Sequence, residues 1–497
     1  MHPATLTTQL PLLLILLATL AGCQPGNDGG SAETVNIPAS PAQITSFQTR
    51  LKSLPYTELG ASAATSSSAE ENTLISVFDL TQAVAMIGWG ARGDTAAELA
   101  TALSLPQTQI YWASIFQSVA SSFKIAPGLN LDSQFWGQAR YPFSLGFLDA
   151  LDKGHTATTE QPDFVADLGG ETFIPIAAWA TDDSNQLLNA ETFDWESPRN
   201  RTRILAGSRI SLSARFDAAA YSEQSGIFSD LNDRFWQMPM LRFNGSFDSF
   251  ENDKLRAVAL PLSQNNGIRL LLLTPKQGMF SGIIDDLDNQ VASLLPRLQP
   301  TAGDWWLPTF ALSDRGERSG RFQSMGANRA FSEEEADFSG INGDGYLYLK
   351  EIEQRSQLEL TAAGVNASSV TLARAQATLS EPLSYIPGAG NGFVDSSSDF
   401  TLTSPTINLE VCISPPAADA LPFILLLIDQ SQQTPLFASK ILNPNGISAD
   451  AAYLGRTSDC LPTFIFPDLP LYVPPGEVRI ISAGNTLVTP VPIITVP

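Results

Sequence analysis

Residues 72–103 read NTLISVFDLTQAVAMIGWGARGDTAAELATAL. The run DLTQAVAMIGWG at 79–90 is apolar and ends in glycine, as a buried helix ends. Asp94 then caps a second helix, DTAAELATAL, with Ala97 as its third residue and Glu98 one turn in. The string Arg92-Gly93-Asp94 in this setting is a turn between helices and not an adhesion motif. Working outward, 42–54 is weakly amphipathic. Residues 107–122 place Ile110, Trp112, Ile115, Phe116 and Val119 at helical spacing, and 143–153 and 174–189 continue the helical patterns. Strand patterns then take over at 204–212, 256–262, 268–274, 346–352, 356–361, 408–413, 421–428 and 435–442. RLLLLTP, at 269–275, is typical of a buried strand stopped by proline. Helices first and antiparallel strands later predict an α+β fold.

Composition narrows the chemistry. The 497 residues carry a net charge of −23 with no basic cluster, which excludes nucleic acid as a partner. A hydrophobic fraction of 43% with 16% charged residues is a globular balance. There are two histidines, His2 and His155; with the N-terminus removed only His155 remains, so no multi-histidine metal site can form and any Ser-His or Cys-His pair must use it. GxSxG, HExxH, CxxC and GxxxxGK[ST] strings are absent. His155 ends the pattern FSLGFLDALDKGH, where a cation suits a helix C-terminus. The chain is expected not to be an enzyme, and no cofactor or metal is implied. Glu333-Glu334-Glu335 reads as a solvated helix face.

The N-terminus reads as an address. Residues 10–20, LPLLLILLATL, are apolar but short for a span. Leu20-Ala21-Gly22-Cys23 resembles the bacterial lipobox, which implies a signal peptide over 1–22 and a lipid on Cys23; an ordinary secretory signal with a chance cysteine is the alternative. Gln24, where aspartate is absent, by the same resemblance favours the outer membrane, so an exported, lipid-anchored location at the bacterial cell envelope is expected. Residues 23–44 form a flexible tether. In such a compartment Cys412 and Cys460 either pair as a disulfide or stay as buried thiols. Beyond Pro444, residues 445–497 are a proline-rich extension with edge-strand character.

Five strings in order are similar to the serpin family. They are the opening stretch, with Asn72 to Ser76 and then Gly90, Ala91, Gly93, Thr95, Ala96 and Glu98; IAAWATDDSNQLLN at 176–189; LPTF at 307–310; Met325-Gly326, Ala330-Phe331 and Ala336 to Ile341; and PFILLLID at 422–429 with PLFASKILNP ending at Pro444. The resemblance covers about 45–444. It implies helices packed on a large central sheet with additional sheets, and an exposed reactive-centre loop. It also implies suicide trapping of a serine or cysteine protease by a monomer: the loop is cut, then inserts as a new sheet strand.

The loop can be tested for that behaviour. By resemblance its hinge is Gly364, and the loop runs to about 408. Side chains of 365–377 alternate between faces. Val365, Ala367, Ser369, Thr371, Ala373, Ala375 and Ala377 make one face, all small or β-branched and uncharged. Asn366, Ser368, Val370, Leu372, Arg374 and Gln376 make the other, so the one charge falls on the side expected to meet solvent. No proline interrupts the run, and every N–H can join a ladder. The bland reading is a mobile Ala/Ser-rich loop. Family spacing puts the scissile bond at Thr378–Leu379, which suits elastase-like or subtilisin-like proteases with shallow apolar pockets; Arg374 is the alternative bait.

Departures from the family pattern are several. The positions where the sheet opens hold Ser76, Asp79, Ser208 and Gln354, position 216 is Phe where the family usually carries Trp, and Ala362 and Ala363 replace acidic residues. The 58-residue spacing from Gly364 to Pro422 is about twice the family's, and the excess, 382–408, reads as a flexible insertion that could itself be a protease target. A non-inhibitory scaffold or binding lipoprotein of the same fold is the alternative function.

Overall fold

The computed structural model describes residues 37–64, 71–123, 126–167, 171–181, 201–263, 267–379, 381, 410–413, 418–430, 433–445, 447–456, 460–462, 477–482 and 485–490. Cys23, the tether and the excess at 382–408 lie outside them.

Helices α1 (Pro41–Ala64), α2 (Val77–Gly88), α3 (Gly93–Leu103), α4 (Trp112–Phe123), α5 (Leu145–His155) and α6 (Phe173–Thr181) answer the sequence patterns, with 182–189 of the last outside the described residues. All of α2 is buried, because it runs behind a sheet. The corner after it is fixed by residues far along the chain. Gly90 meets Ile341 so closely that a Cβ there would overlap its side chain, and its carbonyl accepts from Gly340 N–H at 3.0 Å. Thr95 Oγ1 accepts from Asp337 N–H at 3.0 Å, and the Glu98 carboxylate accepts from Arg329 N–H at 2.8 Å. Two distant strings of the sequence therefore fit each other as one corner.

Two helix-end expectations need correction. Helix α3 begins at Gly93 with Arg92 as its N-cap, so Asp94 sits inside the first turn. The main chain of Arg92 is already held by the Asp337 carbonyl at 2.8 Å, which completes the turn two residues early. His155 does end α5, but it is 1% exposed against Phe116, and burial pushes its pKa down to about 3. It is a neutral core residue and not a cation on the helix terminus.

A six-stranded sheet runs β10 (Phe310–Glu317), β11 (Leu347–Thr361), β12 (Gly364–Ala377), β4 (Thr202–Arg215), β2 (Leu129–Gly137) and β3 (Thr158–Glu160). All pairs are antiparallel except β2 with β3. A second sheet of nine strands follows the path β1 (Thr73–Ile75), β15 (Thr434–Ile441), β14 (Phe423–Asp429), β8 (Ile268–Pro275), β7 (Leu255–Leu260), β6 (Arg234–Glu251) and β16 (Ala452–Arg456), with β5 (Ser222–Ser229) and β9 (Gln299–Pro308) also on β6. β14 and β15 are buried at every residue; the apolar run Phe423–Ile428 accounts for β14, while β15 also buries Thr434, Ser439 and Lys440. A third, of four strands, joins β17 (Cys460–Pro462), β13 (Glu410–Ile413), β18 (Glu477–Ser482) and β19 (Asn485–Pro490). The extension after Pro444 thus supplies β16 to β19, and β13 lies within the strand expected at 408–413.

The largest departure from expectation is β12. The segment expected as an exposed loop is a central strand, paired over its length with β11 on one side and β4 on the other.

Candidate functional site

The inserted strand starts at a tight corner. β11 ends at Thr361, and Gly364 turns the chain back with φ +149°. A Cβ on Gly364 would collide with the Ala214 carbonyl, so only glycine fits both the dihedral and the space. Tyr221 caps the corner through its hydroxyl, which donates to the Ala362 carbonyl, with Phe216 against the Tyr221 ring. Gly364→Ala is expected to weaken insertion selectively: cleavage continues at the wild-type rate, but the cut protein melts several degrees below cut wild type in calorimetry.

Along β12 the two faces separate as a period of two demands. Val365, Ala367, Ala373 and Ala375 join the main core, each fully buried, and Ser369 and Thr371 between them are equally buried. The opposite face is not wet. Val370 and Leu372 pack with Trp136, Phe164, Ile176 and Leu205, because α6 and the segment before it lie across the sheet. Arg374, expected in solvent, is fully buried and pairs with Glu351 of β11 at 2.6 Å. Burial pulls its guanidinium below the usual arginine range, against the Glu351 charge. The sheet tolerates this cation because its neighbouring strand carries the carboxylate.

Midway along the strand lies a buried polar node. The first turn of α2 places Asp79, fully buried, beneath the middle of the sheet. Ser369 Oγ and Thr371 Oγ1 of the inserted strand donate to its Oδ2 at 2.8 and 2.9 Å. Gln354 of β11 directs Nε2 to the Ser76 carbonyl at 2.5 Å and to Thr371 Oγ1 at 3.2 Å, with the Asp79 carboxylate at 3.4 Å. Ser356 and Ser369 hydroxyls meet at 2.9 Å. Ser208 stands opposite Thr371 in the register and opposite Ser133 on its other side, and Gln82 Nε2 reaches Ser133 Oγ at 3.0 Å. Ser76, Asp79 and Gln354 are thus brought to one point, and Ser208 extends a polar row from it. Burial drives the Asp79 pKa up to about 6, and hydrogen bonds from Ser369, Thr371 and Gln354 act the other way. The two shortest of these hydrogen bonds come from β12, so insertion itself supplies donors to the buried acid beneath the sheet.

The strand's far end holds residues that sequence reading missed. Arg201 donates to the Ala377 carbonyl at 2.9 and 2.7 Å and pairs with Glu333 at 2.5 Å. Thr378 N–H donates to the Tyr346 carbonyl at 2.8 Å, Leu379 N–H to Glu333 at 2.5 Å, and Glu381 pairs with Arg203 at 2.5 Å. Residues 333–335 are a turn, not a solvated helix face, and Glu333 has a partner in the loop. Thr378 is 8% exposed, while the Leu379 side chain projects at 81%. The ladder therefore ends where the expected scissile bond begins.

A family model described as serpin (serine protease inhibitor) matches residues 58–444. An uncharacterized serpin-like protein of Thermococcus kodakarensis is 24% identical over 380 residues, covering 75% of this chain and 81% of the relative. Among solved structures, a cleaved form of Serpin 42Da superposes with a TM-score of 0.63 at 19% identity, covering 81% of this chain and 99% of the other. A loop-inserted, cleaved ovalbumin mutant gives a TM-score of 0.65 at 14% identity, covering 81% and 100%. With the fold, the inserted strand and the family match in agreement, the chain belongs to the serpin family of serine protease inhibitors.

Proposed function

We propose that this protein is a lipid-anchored suicide inhibitor of serine proteases, working by insertion of its cut loop. The observation that carries the reading is the seating of 364–377 between β11 and β4, with both backbone edges paired and one face wholly buried. The ladder's end at Ala377 and the outward Leu379 favour Thr378–Leu379 as the scissile bond. A cut after Arg374 would leave the last three residues of β12 on the other fragment. Threonine there suits proteases with shallow apolar pockets, elastase-like or subtilisin-like, with cysteine proteases as secondary targets. Incubation with such a protease should give an adduct that survives SDS, and sequencing of the released fragment should begin at Leu379. Clean cleavage with full return of protease activity would defeat the reading.

One observation favours a second reading. The loop lies in the sheet of an unbroken chain, and in that form it offers no bait. A protein that folds directly to this state is a scaffold at the cell envelope, and it would show neither an adduct nor a rise in Tm after proteolysis.

Cys23 is proposed as the lipid attachment point. Cys412 and Cys460 stand opposite each other in the β13–β17 register. Opposed residues in an antiparallel pair have Cα atoms about 4.5–5.5 Å apart, within the reach of a disulfide. Protein purified from an oxidising compartment should therefore yield a linked Cys412–Cys460 peptide in non-reducing mass spectrometry, and two alkylated thiols there would contradict the pairing.

A further inference from the structure

We propose that the segment after Pro444 is a built-in guard for an open sheet edge, and that the partner it excludes is a second copy of this chain. The inference rests on the proposed reading in one respect, that residues 364–377 are free before they enter the sheet.

Strand β6 is eighteen residues long. On one side β5 pairs with it from Phe235 to Arg242. On the other, β9 reaches only from Met240 to Ser249, and Thr309 N–H then closes on the Pro239 carbonyl at 3.1 Å. Among the described residues, no strand but β16 pairs with residues 234–237 on that side. β16 fills the gap: Ala452 stands opposite Gln237, Tyr453 opposite Trp236, Gly455 opposite Phe235 and Arg456 opposite Arg234. The rings of Tyr453 and Trp236 meet with centroids 5.1 Å apart. The run-in to β16 is anchored as well. Ile447 and Ala451 pack on the main core, and the Ile447 carbonyl accepts from Ala311 N–H of β10, the outer strand of the other sheet, at 2.8 Å.

An uncovered edge presents a row of backbone donors and acceptors to any extended chain. The segment that best fits such an edge is on this chain: 364–377 is proline-free, alternates cleanly and carries one charge. Before insertion, that segment of one molecule could add to β6 of another. The family match ends at residue 444, so β16 lies wholly outside it.

The test uses the full chain carrying Tyr453→Pro with Gly455→Pro, since proline removes ladder N–H groups and is excluded from paired positions. Light scattering coupled to size-exclusion chromatography should show wild type staying monomeric and the variant losing most of its monomer to a growing series of oligomers. A peptide of residues 447–456, ISADAAYLGR, added in excess should restore the monomer. A variant that stays monomeric, or oligomers indifferent to the peptide, would overturn the proposal. Should the variant fail to fold, hydrogen exchange on wild type decides. The amides of 234–237 that point away from β5 should be protected at least about tenfold over open chain. Exchange at open-chain rates there would equally overturn it.

Discussion

Arginine in place of Ala367 is expected to give a protein that is cut normally and gains nothing from the cut. Ala367 is fully buried, paired with Leu358 on one side and Leu212 on the other. A guanidinium at that point has core side chains around it and no carboxylate on its rung. Breaking the pairing of a buried charge costs about 3–5 kcal/mol, and a new unpaired one costs at least as much. That cost falls on the inserted form alone, so cut Ala367→Arg should melt with the uncut protein and release active protease. A cation placed at Asn366 instead is the control. Asn366 lies on the other face, half-buried beside the Glu359 carboxylate, so Asn366→Lys should keep both the adduct and the heat resistance. Stoichiometry of inhibition and calorimetry of the cut protein read both variants.

The second large effect belongs to Asp79. Its pKa in the inserted form is pushed up to about 6 from 3.8, because burial disfavours the charge more than its donors restore it. The neutral acid is therefore the better-accommodated species. The stabilising contribution is whole below the unfolded pKa and is lost as pH rises through about 6. A shift of this size corresponds to roughly 3 kcal/mol between the ends of that window. Measured against Asp79→Asn, which cannot titrate, the inserted form of wild type should lose about this much stability between pH 4 and pH 7.5. Asp79→Ala should be worse at every pH, since the Ser369, Thr371 and Gln354 donors lose their shared acceptor, at about 1–3 kcal/mol for each group left unsatisfied. A flat difference between wild type and Asp79→Asn across pH would show that this carboxylate is ionised throughout.

The sequence carried the fold where local signals were strong. Long apolar periods gave α2, α4, β8 and β14, and the family strings around Gly90 and Ile341 identified a corner that the structure closes with a glycine-sized contact. It was weakest at β5, β6, β9 and β10, where polar or exposed residues interrupt the apolar ones, so pairing across the sheet completes what a local pattern only begins. The two expected strands at 346–352 and 356–361 are one, because Glu353, Gln354 and Arg355, which look like a break, hold buried polar partners in mid-strand. The alternation of 365–377 was legible from residue size. The partners of that strand were not: Glu351 for Arg374, and Arg201, Glu333 and Arg203 beyond its end, are contacts between segments far apart in the chain, and composition does not encode them.

The most direct measurement is amide hydrogen exchange over residues 365–377, taken on freshly folded protein and again after a protease has cut the loop. Trapping requires fast exchange before the cut and slow exchange after it, with the protection reaching Ala377. Amides of this segment that stay fast after cleavage would contradict strand insertion, and amides already slow in the fresh, uncut chain would leave the architecture standing without the trap.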